Sequence, residues 1–181
     1  MLCMELSFAG MFAYITGSPF VFIERFGFSP QQYALLFGAN IAGVIVATFL
    51  NARLVGRLGP ALMLRYGSGV AALAGIWLVI AASQPVLGWP GVALGLLLFV
   101  SVTGMLGANA IASLMALFPQ RAGAAAALAV AGQFGLGALA SVLVGALHDG
   151  SPWPMCLVVA LCGVGSCASL FLALRRVTAT A

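Results

Sequence analysis

The chain has 181 residues, of which 64% are hydrophobic and only 6% charged, and its net charge is +4. A water-soluble domain needs about 25% charged residues to cover its surface, so a soluble fold is excluded. The cations are all Arg and stand singly or in pairs at the ends of apolar runs. A nucleic-acid surface needs clustered cations with exposed aromatics, so none is expected here.

Residues 2–23, 33–52, 61–82, 91–117, 123–147 and 155–174 are almost free of charge. A helix needs about 20 apolar residues to cross a bilayer. The predicted fold class is an all-α membrane protein. It is a single domain, 1–181, with six helices at about 2–23, 30–52, 61–82, 91–117, 121–147 and 155–174. The start, MLCMELSFAGM, lacks a basic region before its apolar run and carries Glu5 inside it, so no cleavable signal is expected. Three helices, a hinge and three helices are compatible with an internal repeat.

In helix 1, Gly17-Ser18-Pro19 precedes Phe20. Proline removes one backbone hydrogen bond, so the end of this helix should bend or loosen. Ser29-Pro30 reads as an N-cap followed by Pro at the first helical position, so helix 2 begins near Pro30. The second hinge is basic and is broken by Gly59-Pro60. Helices 4 and 5 meet at Phe118-Pro119-Gln120-Arg121. Helices 5 and 6 meet at His148-Asp149-Gly150.

The Arg residues orient the helices. Arg53, Arg57, Arg65, Arg121, Arg175 and Arg176 fall beside alternate hinges or after the last run, and Arg25 alone falls on the other side. Positive charge near membrane ends marks the cytoplasmic side, so both termini are expected in the cytoplasm.

Small residues recur at helical spacing and mark faces where helices approach closely. These are Asn40, Gly43, Ala47 and Asn51 in helix 2, and Gly104, Ala108 and Ala112 in helix 4. In helix 5 they are Ala129, Gln133, Gly137, Ser141 and Gly145, and in helix 6 Cys156, Ala160, Gly163 and Cys167. The four Cys lack metal-site spacing and a nearby His. They read as small apolar packers, and no metal or cofactor is expected.

Polar residues at membrane depth need an account. Glu5 reads either as a carboxylate one turn from the surface that snorkels into water or as a proton-titrating group. Asn40, Asn109 and Gln133 read either as inter-helix glue or as walls that hydrogen-bond a substrate. Tyr14, with Phe12, Phe37 and Phe134 near it by helix position, would suit an apolar drug-like ligand. Trp89 and Trp153 flank hinges and read as interfacial anchors. With no G-x-S-x-G and no Ser and base at matching depth, no catalytic site is expected.

Three stretches carry a resemblance. FAGMFAYITGSPFVFIERFGFSPQQYALLFGANIAG resembles the seventh and eighth helices of the Bcr/CflA drug-resistance subfamily of the major facilitator superfamily. NARLVGRLGP resembles that subfamily's basic loop after the eighth helix. PQRAGAAAALAVAGQFGLGALASVLVGAL resembles its eleventh helix and the connection before it. The resemblance covers this whole chain but only the C-terminal six-helix half of the family. It implies a bacterial inner-membrane multidrug exporter that exchanges small amphipathic drugs for protons in the lipid bilayer. The N-terminal six-helix half, where the subfamily's coupling carboxylates generally lie, has no counterpart here. Carried over by position, Tyr14, Asn40, Asn109 and Gln133 become cavity candidates. Arg53, Arg57, Pro119 and Arg121 become cytoplasmic-loop or gating candidates. Glu5, where the subfamily pattern leads one to expect a neutral residue, becomes the proton-coupling candidate. Such a half is expected to be inactive alone. The alternatives are a membrane interaction or assembly module that transports nothing, and a half that dimerises to rebuild twelve helices.

Overall fold

The computed structural model describes residues 1–179 and the side chains of residues 1–173 and 175. Six long helices build the fold, and no strand occurs among the described residues. They are α1 (Leu2–Pro19), α2 (Pro30–Leu58), α3 (Pro60–Ser83), α4 (Gly88–Leu117), α5 (Ala122–Ala146) and α6 (Trp153–Ala179). Each is long and apolar enough to cross a membrane by length and composition. The helices alternate in direction. The α2–α3 and α4–α5 hinges therefore lie at the end that holds the chain termini, and the other three lie at the far end.

Local chemistry explains the bounds. Past Pro19, α1 continues as a π-helical segment, Phe20–Arg25, in which the Phe26 N–H donates to the Val21 carbonyl at 3.1 Å. The loosening expected at this proline thus takes the form of a wider helical turn. At α2 a reciprocal cap forms: Gln32 N–H donates to Ser29 Oγ at 3.2 Å, and Ser29 N–H donates to Gln32 Oε1 at 2.9 Å. Pro30 fits the first helical position, where its missing N–H would have no partner.

The far boundary of α2 differs from the sequence reading. The helix runs to Leu58 instead of ending near 52, so Arg53 and Arg57 sit on its last turns and not in a loop. Nothing between Ala52 and Leu58 breaks a helix. The first breaker is Gly59, at φ +78°, followed by Pro60. α6 likewise starts at Trp153 and continues past 174 to Ala179. The side chain of Arg176 lies outside the described residues.

The packing has a twofold pattern. α1 packs on α5 and α6, α4 packs on α2 and α3, α3 packs on α6, and α1 crosses α4. Exchanging helices 1–3 with helices 4–6 leaves this set of contacts unchanged. Helices with the same rank run in opposite directions, so the six form two inverted three-helix units. Phe99, Leu96 and Leu106 of α4, Tyr14 of α1 and Leu78 of α3 are buried at the centre.

At the α3–α6 seam the backbones themselves approach closely. A methyl group on Gly163 would stand 2.5 Å from the Ala71 carbonyl oxygen, and one on Gly75 would stand 2.8 Å from Ala160 Cα. Backbone meets backbone there, which only glycine permits. α2 and α5 stand on the outside. Only 6% of the α2 span and 22% of the α5 span is buried, against 61% of the α4 span.

Two of the small-residue stripes are shorter than the sequence implies. In α5, Ala129, Gly137 and Ser141 face α1 or the core, but Gly145 has nothing near it. In α4, Gly104 meets Thr48 and Val44 of α2, while Ala108 and Ala112 are exposed. The partner helix covers part of each small face and then diverges.

Candidate functional site

The polar side chains gather on the two flanks of α1 and along the α2–α4 seam. On the α2 flank, long side chains bridge two helices that do not pack closely. Asn40 Nδ2 donates to Tyr14 Oη at 2.8 Å. One turn further out, Ser18 Oγ and Tyr33 Oη are 2.8 Å apart. Phe37 stacks on Tyr14, with ring centroids 5.8 Å apart and planes at 15°, and it also leans on Tyr33. Tyr33, Phe37 and Asn40 recur at i, i+4 and i+7, as Tyr14 and Ser18 recur at i and i+4. Such spacings place each set on one helix face.

Between α2 and α4 an amide pair forms. Asn109 Nδ2 donates to Asn51 Oδ1 at 2.7 Å and to the Met105 carbonyl at 2.8 Å. Asn51 follows Asn40 by three helical turns, so the two share a face. The sequence marks Asn51 only as part of a small stripe; its spacing from Asn40 gives the face but not the partner, Asn109.

Three of the four cavity candidates are therefore engaged inside the bundle. Tyr14 is 1% exposed, Asn40 3% and Asn109 2%. Gln133 differs: it is half-buried on α5, and its amide forms no hydrogen bond among the described residues. Beside it Phe134 is exposed and meets Phe12 edge-on, with centroids 5.7 Å apart.

The α5 flank of α1 is close-packed. A methyl group on Gly137 would meet the Phe12 ring at 2.6 Å. Thr16 Oγ1 donates to Ser141 Oγ at 2.9 Å. Glu5 lies at the inner end of this flank. Most of its side chain is covered, for it is 9% exposed. Its carboxylate rests on Gly132 of α5, without a hydrogen-bond or ion-pair partner among the described residues. At the far rim, Phe20 meets His148 with ring centroids 4.7 Å apart. Hydrogen bonding from Ser151 holds the exposed Asp149 carboxyl below the usual carboxylate range.

The gating candidates sit at the end with the termini. Arg53 is exposed, its guanidinium 4.3 Å above the Phe49 ring one turn earlier. Arg57 is on the last turn of α2. Pro119 and Arg121 bound a short 3₁₀ turn that, with Leu117 and Phe118, lines an open recess of about 380 Å³. Among the described residues, no three His, Cys, Asp or Glu side chains are grouped to hold a metal.

Two inverted three-helix units, with buried amides on their facing helices, define a multi-pass membrane protein of the secondary-transporter kind. The comparisons agree. Over 91% of its length the chain is 34% identical to the bicyclomycin resistance protein homolog of Haemophilus influenzae. Over 93% of its length it is 30% identical to YdgK of Bacillus subtilis, described as an uncharacterized MFS-type transporter. The chain is thus similar, over nearly all of its own length, to the Bcr/CflA drug-resistance branch of the major facilitator superfamily, whose members are transporters and not enzymes. It spans 41% of one relative and 42% of the other, a length consistent with one six-helix half. No family model and no solved structure matches it.

Proposed function

We propose that the chain is the C-terminal half of a proton-coupled multidrug exporter in the bacterial inner membrane, with both termini in the cytoplasm. One observation carries this reading. α2 and α5, both strongly apolar, have only 6% and 22% of their membrane spans buried in the six-helix packing. A second six-helix half would cover part of the exposed surface, and lipid the rest. Alternating access needs two bundles rocking about a shared site, and a single bundle supplies one wall.

In this reading Gln133 and the Phe12–Phe134 pair meet the drug. Tyr14, Asn40 and Asn109 hold that wall in shape. Glu5 exchanges the proton. Arg53, Arg57, Pro119 and Arg121 shape the switch on the cytoplasmic side, beside anionic headgroups that favour cations.

The test is co-expression with a first half taken from a full-length relative. The chain alone should leave drug accumulation unchanged, and the pair should lower it. Glu5→Gln should remove the proton dependence of that export. If the purified chain alone drives proton-dependent efflux in liposomes, the half-transporter reading fails and a homodimer replaces it. If the pair assembles but exports nothing, the chain is an interaction module.

A further inference from the structure

Glu5 is the buried acidic side chain of the first span; Glu24 is exposed at that span's far end, and Asp149 lies in a far hinge. A buried carboxylate with no partner is expensive unless it is neutralised. Across the helix seam its carboxyl group lies against the bare backbone of α5 at Gly132. A methyl group built there would stand 2.5 Å from Glu5 Oε1, 2.7 Å from Cδ and 3.2 Å from Oε2. The smallest substitution would therefore strike the carboxyl group itself. Elsewhere on the seam, glycine makes room for a ring, as Gly137 does for Phe12. At Gly132 it makes room for the one group that can take up a proton.

We propose that Gly132 is a positioning residue for Glu5: the notch it leaves in α5 sets where the carboxyl group sits and thereby its proton uptake. The proposal rests on the reading of Glu5 as the proton-exchanging group and adds what fixes its place. The groups that could compete are few. α4 carries no titratable side chain. α5 carries none between Arg121 and His148, at its two ends. α6 contributes Cys156, Cys162, Cys167 and the Arg pair at its end, α3 contributes Arg65 and Tyr66, and α1 itself contributes Cys3, Tyr14 and the first amino group. No hydrogen bond or ion pair joins any of them to Glu5 among the described residues.

The notch makes a size-exchange test possible. Gly132→Ala adds one carbon against the carboxyl group, and Glu5→Asp withdraws that group by one carbon. The full chain in detergent is labelled with dicyclohexylcarbodiimide, which reacts with protonated carboxyl groups in apolar surroundings. Adducts on Glu5 are counted by mass spectrometry across a pH series. The parent should be labelled at Glu5, with the yield falling as pH rises, and Glu5→Gln should show no adduct at this position. Gly132→Ala should shift the pH of half-maximal labelling. The double variant Glu5→Asp with Gly132→Ala should return it toward the parent value. A labelling profile unmoved by Gly132→Ala overturns the proposal, even if the variant is less stable. So does a double variant whose labelling profile stays where Gly132→Ala put it. Proton-dependent export that survives Glu5→Gln in the two-half transporter sinks the coupling reading instead, and leaves the steric result standing.

Discussion

Asn109 uses one amide nitrogen to bond both the next helix, through Asn51, and its own preceding turn, through Met105. In an apolar medium the alternative to such a bond is an unsatisfied polar group, so the pair ties α2 to α4 at one register. Interhelical hydrogen bonds in membranes contribute about 0.6 kcal/mol on average and up to about 2. Asn109→Ala should therefore lower stability by about 1 kcal/mol, read as a lower melting temperature in detergent. Asn51→Ala should cost about the same, and the double variant should cost less than the sum, because the singles each strand a partner. Additive losses would mean that the two amides do not work as a pair. The sequence showed that these amides needed partners but not which ones. Asn40 faces Tyr14, and Asn109 faces Asn51, because helices α1, α2 and α4 cross where they do. Residue spacing along one helix carries no information about that crossing. The same gap explains Glu5. Its position one turn into α1 said nothing of α5, whose crossing brings Gly132 against its carboxyl group.

The elements divide into a tight back and two splayed outer helices, and glycine placement decides which is which. Glycines occur in all six helices, and their spacing alone made the α5 stripe look continuous. Geometry separates them. Gly163 has the Ala71 backbone carbonyl at its position, which cannot rotate away, and the Phe99 ring beside it, while Gly145 faces open space. Gly163→Ala should force α3 and α6 apart and cost about 1–3 kcal/mol, the usual range for overpacking. Gly145→Leu should leave melting temperature and yield near the parent's in the isolated chain. Gly137→Leu should behave like Gly163→Ala, since Phe12 occupies its space. Equal melting of Gly163→Ala and parent would show that the seam is looser than its backbone distances state. Helix number and order were legible in the sequence because each apolar run is bounded by Gly, Pro or charge. The end of α2 was not, because arginine marks the edge of an apolar run without ending the helix. Arg53 and Arg57 tolerate helix, and only Gly59 and Pro60 stop it.

At the scale of the whole molecule, charge and packing make separate statements, and both can be tested on one protein. Arg53, Arg57, Arg65, Arg121 and Arg175 all lie on elements at the end that holds the termini, and Arg25 alone is opposite, next to Glu24. Cations near helix ends bias orientation toward the cytoplasm. Reporter fusions after Arg57 and Arg121 should therefore report cytoplasm, and fusions after Gly88 and Gly150 the outside; a cytoplasmic signal at Gly150 would reverse the orientation. The packing speaks of completeness. α2 and α5 expose Leu35, Ile45, Leu139 and Val142 broadly, and these apolar side chains are equally at home against lipid or against another protein. The polar Gln133 on the same helix is not, since an unpaired amide in lipid is unfavourable. If a first half covers that face, Gln133→Ala should leave the level of the paired transporter near the parent's while changing which drugs it exports. If Gln133 instead faces lipid, the same change should stabilise the isolated chain and alter no drug profile. Measuring export of several drugs and the melting temperature for this one variant separates a cavity wall from a membrane surface.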